Sequence, residues 1–288
     1  STDDETRFNA AFAFNKLAAD HQNIEFIGTS GSIPRLVDVV ATGSPEAKAQ
    51  AVAVLRHLAN HTENRFTMLQ ANALDPLAEI AATADDKEVL RELTALTCLL
   101  SLSDGMRLPM VSSNLLLPLM KLCQHTDVEL ARHACGTIAN IAEAKRTHKV
   151  LAGTANAIHI MIFLMNSKHL SVHREASRAM NNIMSSTASH RLFLDDSGLT
   201  SLFRLCRSLD VETLLNCSLI FRKLSPVLTN HDFMISKGGL APLLLLTAVH
   251  DLRVKHQSAA AMRDLASNLN FKAVMAEEGC LTRAIELA

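Results

Sequence analysis

The sequence predicts an all-α chain of stacked helical repeats. Three observations carry that prediction: a composition suited to helix interfaces, an apolar period of about forty-two residues, and cap chemistry at a fixed place in each period. Hydrophobic residues make up 48% of the 288, yet aromatics only 4%, with no Trp and no Tyr. Leu, Ala, Met and Ile fill helix interfaces, whereas strands favour Val, Thr, Tyr and Trp. Ten Gly and seven Pro are few for a turn-rich β protein.

The period shows in seven aligned stretches, among them GSIPRLVDVV from Gly31, NALDPLAEIA from Asn72, NLLLPLMKLC from Asn114 and GGLAPLLLLT from Gly238. The first aligned Ile or Leu falls at Ile33, Leu74, Leu116, Ile158, Leu199, Leu240 and Leu281, always 41 or 42 residues apart. Three residues on stand Leu36, Leu77, Leu119, Met161, Leu202, Leu243 and Ala284; six on stand Val39, Ile80, Leu122, Leu164, Leu205, Leu246 and Leu287. Every one of these positions is apolar. The spacing is one face of a helix.

Taken in order, Thr2 to Glu5 fits a capping box that opens a helix with Phe8, Phe12, Phe14 and Leu17. Residues 1–20 read as the last helix of a partial unit. Full units follow at about 21–64, 65–106, 107–148, 149–190, 191–231 and 232–272, and a second partial unit covers 273–288. All belong to one continuous domain. Within a unit a short helix comes first, as at Phe66 to Leu69, Leu192 to Leu194 and Phe233 to Ile235. Gly31, Asn72, Asn114, Asn156 and Gly238 then break the chain before the anchor helix. A long third helix opens at Ser44 before Pro45, Asp85, Asp127, His169, Asp210 and Asp251; the histidine is the weak cap. Its core columns are Leu55, Leu96, Ile138, Met180, Phe221, Met262 and, three further on, Leu58, Leu99, Ile141, Ile183, Leu224, Leu265. One such unit cannot cover its own apolar faces, so neighbours must stack.

Composition also excludes function classes. Net charge is −1, so no global field draws the protein to nucleic acid. The six cysteines form no C-x-x-C pair and read as small core residues of a reducing, cytoplasmic compartment. No apolar run is long enough for a bilayer. Among thirteen histidines, His169 and His173 are four apart but have no third donor near in sequence, whereas zinc needs three or four. His125, His169 and His250 recur at loop positions as a solvated ridge. There is no Gly-rich phosphate loop, G-x-S-x-G or H-E-x-x-H, and a repeat of near-constant length leaves no insert for an active site. No catalysis, cofactor or metal is expected.

The segment SIPRLVDVVATGSPEAKAQAVAVLRHLAN resembles an armadillo repeat, whose pattern runs from G-x-[IL]-P-x-L-V to A-L-x-N-L-A, and ACGTIANIA at 134–142 and ASRAMNNIM at 176–184 match its closing motif. The resemblance spans residues 7 to 288. It implies a right-handed α-solenoid of six full repeats with partial repeats at both ends, the third helices lining a concave groove. Family members that grip extended peptides use an Asn on each rung, because an amide pairs with backbone carbonyl and N–H groups together. That column here reads His57, Cys98, Asn140, Asn182, Lys223 and Asp264. The Trp column of nuclear-import receptors falls at Ala53, Thr94, Gly136, Arg178, Leu219 and Ala260, which argues against basic cargo.

The third helices carry instead a basic stripe: Lys16, Arg56, His57, Arg132, His133, Arg174, Arg178, Arg222, Lys223 and Arg263. The candidate binding residues are Arg132, His133, Asn140, Arg174, Arg178, Asn182, Arg222 and Lys223, suited to acidic or extended protein segments. The competing reading is a solvated face paired to Glu129, Glu175 and Asp264. Phe8, Phe12 and Phe14 are a second candidate contact surface. The layout is similar to armadillo-repeats-only scaffolds of the apicomplexan type, held on the cytosolic face of an organelle by an acylated N-terminus. That similarity implies a leader ahead of Ser1 with Gly after the initiator Met and Cys close behind, and partners such as a myosin motor or another scaffold. A nuclear transport receptor and a myosin or cytoskeletal chaperone are the alternatives.

Overall fold

The computed structural model describes residues 3–154, 156–195 and 197–288, and these fold into helices with no strand among them. A lead helix α1 (Asp4–Ala18) precedes the repeats. Then come α2 (His21–Thr29), α3 (Ser32–Thr42) and α4 (Pro45–Leu58); α5 (Thr62–Gln70), α6 (Leu74–Thr83) and α7 (Lys87–Ser101); and α8 (Asp104–Ser112), α9 (Leu116–Leu122) and α10 (Val128–Ile141). The fourth repeat opens with a 3-10 turn (Lys145–Thr147) and continues through α11 (His148–Gly153), α12 (Ala157–Met165) and α13 (Leu170–Ile183). It is followed by α14 (Ala188–Asp195), α15 (Gly198–Leu205) and α16 (Val211–Leu224), and by α17 (Leu228–Ser236), α18 (Leu240–Ala248) and α19 (Leu252–Ala266). A 3-10 turn (Leu269–Phe271), α20 (Lys272–Glu277) and α21 (Cys280–Leu287) form the last, two-helix unit. No single helix is long and apolar enough to cross a membrane.

The chain forms two compact units, residues 1–150 and 151–288. In the first, third helices stack in the order α1, α4, α7, α10; in the second, α13, α16, α19. The three-helix repeat with a long third helix is the one the spacing predicts, but the first two helices are not graded short to medium: α8 has nine residues against seven in α9, and α17 and α18 have nine each.

Caps explain the boundaries. Ser44, Asp127, Asp210 and Asp251 each accept hydrogen bonds from backbone N–H groups of the helix they open, and His169 holds the equivalent place without a side-chain cap. Two predicted positions differ. The capping box falls partly on Thr2, outside the described residues, and Asp3 caps α1 by accepting from Thr6 N–H at 2.9 Å. Asp86, not Asp85, caps α7. The extra loop residue moves the core register of α7 by one, so Leu100 is buried where Leu99 was expected and Thr97 is buried beside Leu96.

Between first and second helices the chain turns through the left-handed region, at Gly31 (φ 75°), Asn72 (56°), Asn156 (63°), Ser197 (58°), Gly238 (81°) and Gly279 (90°). Asn114 is the exception, for it makes its turn without positive φ. A Cβ in this region is strained. Ser197→Gly is therefore expected to stabilise the second unit by about 1 kcal/mol, read as a higher urea midpoint.

A buried or part-buried column that spacing did not reveal closes the ends of the third helices α4, α7, α10, α13 and α16, whose last carbonyls lack helical partners. Arg65 Nε donates to Ala59 O (2.6 Å), Arg107 Nε to Ser101 O (3.2 Å), and His148, His190 and His231 donate through Nε2 to Ala142 O (2.7 Å), Met184 O (2.9 Å) and Ser225 O (2.6 Å). Burial pushes the pKa of His190 down, which keeps the ring neutral. The expected apolar core is buried along the anchor helices except at Val39, which is half-buried while Val40 beside it is buried, and on α21, where Leu281 (62% exposed), Ala284 and Leu287 stay open because no described helix packs over them. A cavity of about 630 Å³ lies there beside Met262 and Met275.

Candidate functional site: the third-helix ladder

Each third helix shows a stripe of partly exposed residues spaced three and four apart, the face left over when the others are packed. In the first unit α10 carries Arg132, His133 and Asn140. Arg132 pairs with Glu129 at 2.8 Å on the same helix and sends Nη2 to His133 Nε2 at 2.6 Å. A guanidinium only donates, so His133 keeps its proton on Nδ1, and burial first and the Arg132 charge second hold its pKa down. Asn140 departs from expectation. It is 4% exposed and its Nδ2 donates to Ser101 Oγ of the preceding rung at 2.9 Å, so that donor is spent inside the stack.

In the second unit Arg174 forks onto Asp210, with Nε to Oδ2 at 2.9 Å and Nη2 to Oδ1 at 2.5 Å. Asp210 also caps α16 through Thr213 N–H (2.9 Å) and Thr213 Oγ (2.7 Å). Arg174 is thus a tie between repeats. Arg178 pairs with Glu175 at 2.8 Å and is 30% exposed. Asn182 is half-buried next to it on the same helix, with Asn181 Nδ2 at 3.5 Å from its Oδ1. Arg222 reaches Asp264 of the next rung at 2.7 Å. Lys223 donates to Asn181 O (2.5 Å) and Oδ1 (2.7 Å), and burial lowers its pKa to about 8.

The same device recurs elsewhere: Arg91 meets Asp127 at 2.6 Å and Arg107 meets Glu143 at 2.6 Å, both over 36 residues, and Arg56 is hydrogen-bonded to Glu92. Within each unit, much of the predicted stripe holds neighbouring repeats together. On the second unit's rungs the guanidiniums of Arg178 (30% exposed), Arg222 (34%) and Arg263 (69%) stay partly accessible, while Arg253 (54%), at the start of α19, is held by Asp251 and Glu212. Between them the middle helix α16 presents Val211, Leu215 and Leu219 where α13 presents Arg174 and Arg178. The units differ in charge: residues 1–150 hold fourteen Lys and Arg against eighteen Asp and Glu, residues 151–288 fourteen against eleven. Among the described residues no group of three His, Cys, Asp or Glu converges as a metal site.

Residues 103–143, the third repeat, match the Armadillo/beta-catenin-like repeat family model. A designed armadillo repeat protein, solved in complex with the peptide (KR)4, superposes with a TM-score of 0.74 over 82% of this chain and 100% of its own, at 20% identity. The chain is built of armadillo repeats. Among curated proteins this armadillo chain is 21% identical to Phospholipase A I of Arabidopsis thaliana over 57% of its length and 13% of the phospholipase. It is 26% identical to Vacuolar protein 8 of Schizosaccharomyces pombe over 50% of its length and 26% of that protein. The armadillo stretch thus spans a minor part of either relative.

Proposed function

We propose that this armadillo protein is a non-catalytic protein-interaction scaffold whose third-helix ladder takes extended acidic segments of partner proteins, with the second unit as the main seat. The observation that carries this reading is the row of accessible guanidiniums at Arg178, Arg222 and Arg263 on a unit with excess positive charge. Each guanidinium has five N–H donors, and the carboxylate that Arg222 or Arg263 meets internally uses one or two. The Arg263–Asp264 bonds are the exposed ones, and exposed ion pairs are worth only about 0–1 kcal/mol, so a ligand carboxylate can share or replace that pair. A designed relative was solved with a (KR)4 peptide; a basic ladder should prefer the opposite sign. The phospholipase likeness covers too little of that enzyme to bring its named activity here.

The direct test is fluorescence anisotropy of the full-length protein with an all-acidic peptide and with (KR)4. The acidic peptide is expected to bind and to weaken steeply with salt. Arg178→Gln with Arg263→Gln, which removes the charges without setting a carboxylate against Glu175 or Asp264, is expected to cost about tenfold in affinity while leaving the melting curve near wild type. Arg174 is left intact, because its loss would strand Asp210 and test stability instead. Tighter binding of (KR)4 would overturn the reading and favour the transport-receptor alternative.

We further propose that the scaffold works at the cytosolic face of an organelle membrane, recruiting a motor or second scaffold there through an acylated leader. A fungal relative named as a vacuolar protein supports this. Mass spectrometry of the native N-terminus is expected to show a myristoyl or palmitoyl group; an unmodified terminus on a freely soluble protein would dismiss it.

A further inference from the structure

The middle rung of the second unit differs from its neighbours in a way that charge alone does not explain. Arg178, Leu219 and Ala260 hold the same place on α13, α16 and α19, and Arg174, Leu215 and His256 hold the place one turn earlier. Val211, Leu215 and Leu219 follow one another at four-residue steps, so they form one line along the exposed stripe of α16. Val211 is 38% exposed and the two leucines are half-buried. At the far end of the line stand Arg222 and Lys223. A strip of methyl groups thus lies with Arg178 on one flank and Arg222 and Lys223 at its foot, Arg174 on the same flank being tied to Asp210.

We propose that this strip seats an aliphatic side chain of the bound acidic segment, so that the second unit selects acidic segments carrying a leucine-type residue over uniformly acidic ones. The inference rests on the acidic-segment reading above and names the side chain that reading leaves open. Charge complementarity fixes the occupant: the cations beside the strip disfavour a basic or purely apolar partner, and the strip offers carboxylates no hydrogen-bond donor. Packed helices lie about 8–10 Å apart, and an extended chain advances about 3.3 Å per residue. A carboxylate meeting Arg178 is therefore about three residues from the aliphatic side chain on Leu219.

The test uses the full-length protein and two labelled decapeptides, acidic throughout except for one central residue, Leu in one and Ser in the other, compared by anisotropy at fixed ionic strength. The leucine peptide is expected to bind at least fivefold tighter. That advantage is expected to vanish in Leu219→Ser, while the serine peptide binds the variant as it binds wild type. Equal binding of both peptides to the wild-type protein overturns the apolar seat and leaves the acidic groove standing. No binding of either overturns both. Should Leu219→Ser fail to fold, the two peptides on wild type decide alone, with Leu215→Ser as the second variant.

Discussion

Phe221→Ala is expected to destabilise the protein by about 3–5 kcal/mol, the largest effect of any substitution named here. Phe221 lies on α16 with 0% exposure, in the column occupied by Leu55, Ile138 and Met180 in other repeats, and stacks on Phe203 with ring centroids 6.1 Å apart and planes 6° apart. Truncation removes the transfer free energy of the ring and leaves a cavity between two helices that are themselves pinned by their neighbours, so little collapse can repair it. Repeats depend on their neighbours for a core, so the loss should spread to α13 and α19 and loosen the second unit as a whole. With no Trp in the sequence, far-UV circular dichroism against urea is the appropriate probe. The control is Phe163→Ala: Phe163 is 65% exposed on α12, and its loss should change stability by less than about 0.5 kcal/mol. Equal midpoints for the two variants would mean that the column is not core.

Asp210→Ala is expected to cost about 2 kcal/mol, roughly half from the lost helix cap and half from the Arg174 tie. Asp210→Asn separates the two, since Asn caps as well as Asp and should forfeit only the charge-assisted part. Burial pushes the Asp210 carboxyl pKa up, but hydrogen bonds from Arg174 and Thr213 outweigh it and hold the value at about 2, against 3.8 for a free carboxyl. A pKa lowered by folding gives stability that is present above about pH 4 and lost as pH falls toward 2. The wild-type protein should therefore lose stability more steeply over that window than Asp210→Asn. Parallel acid limbs for the two proteins would show that Asp210 is not tied to Arg174 in solution.

These two residues illustrate how far a string of letters can be read. Period alone places Phe221 in the core, because a helical face repeating every 41 or 42 residues has nowhere to go but against its own copies. Asp210 reads as a cap for the same reason, a Ser, Asp or His standing just ahead of each long helix. Its second duty does not show along one helix. Arg56, Arg91, Arg107 and Arg174 each meet a carboxylate 36 residues on, and that recurring offset is a usable signal. It emerges only when the stripe is read across rungs. The misplaced cap at Asp85 and the shifted Leu99 share one cause: a single added loop residue rotates a helix by about 100°, and spacing between anchors does not tell where the residue was added.

By itself the sequence determined the repeat, its length, its three-helix division and most of its caps, since all of these depend on residues a few positions apart or on a face that must be buried. Tertiary structure decided which polar groups remain available. Asn140 and Arg174 look like binding residues in isolation, yet packing gives Asn140 a hydroxyl on the preceding rung and Arg174 a carboxylate on the following one. Packing likewise leaves Leu215 and Leu219 partly open on a rung where the neighbours offer charge. Availability is set by what lies one repeat away in space, some 36 to 42 residues away in sequence, and only the stacked helices bring those partners together.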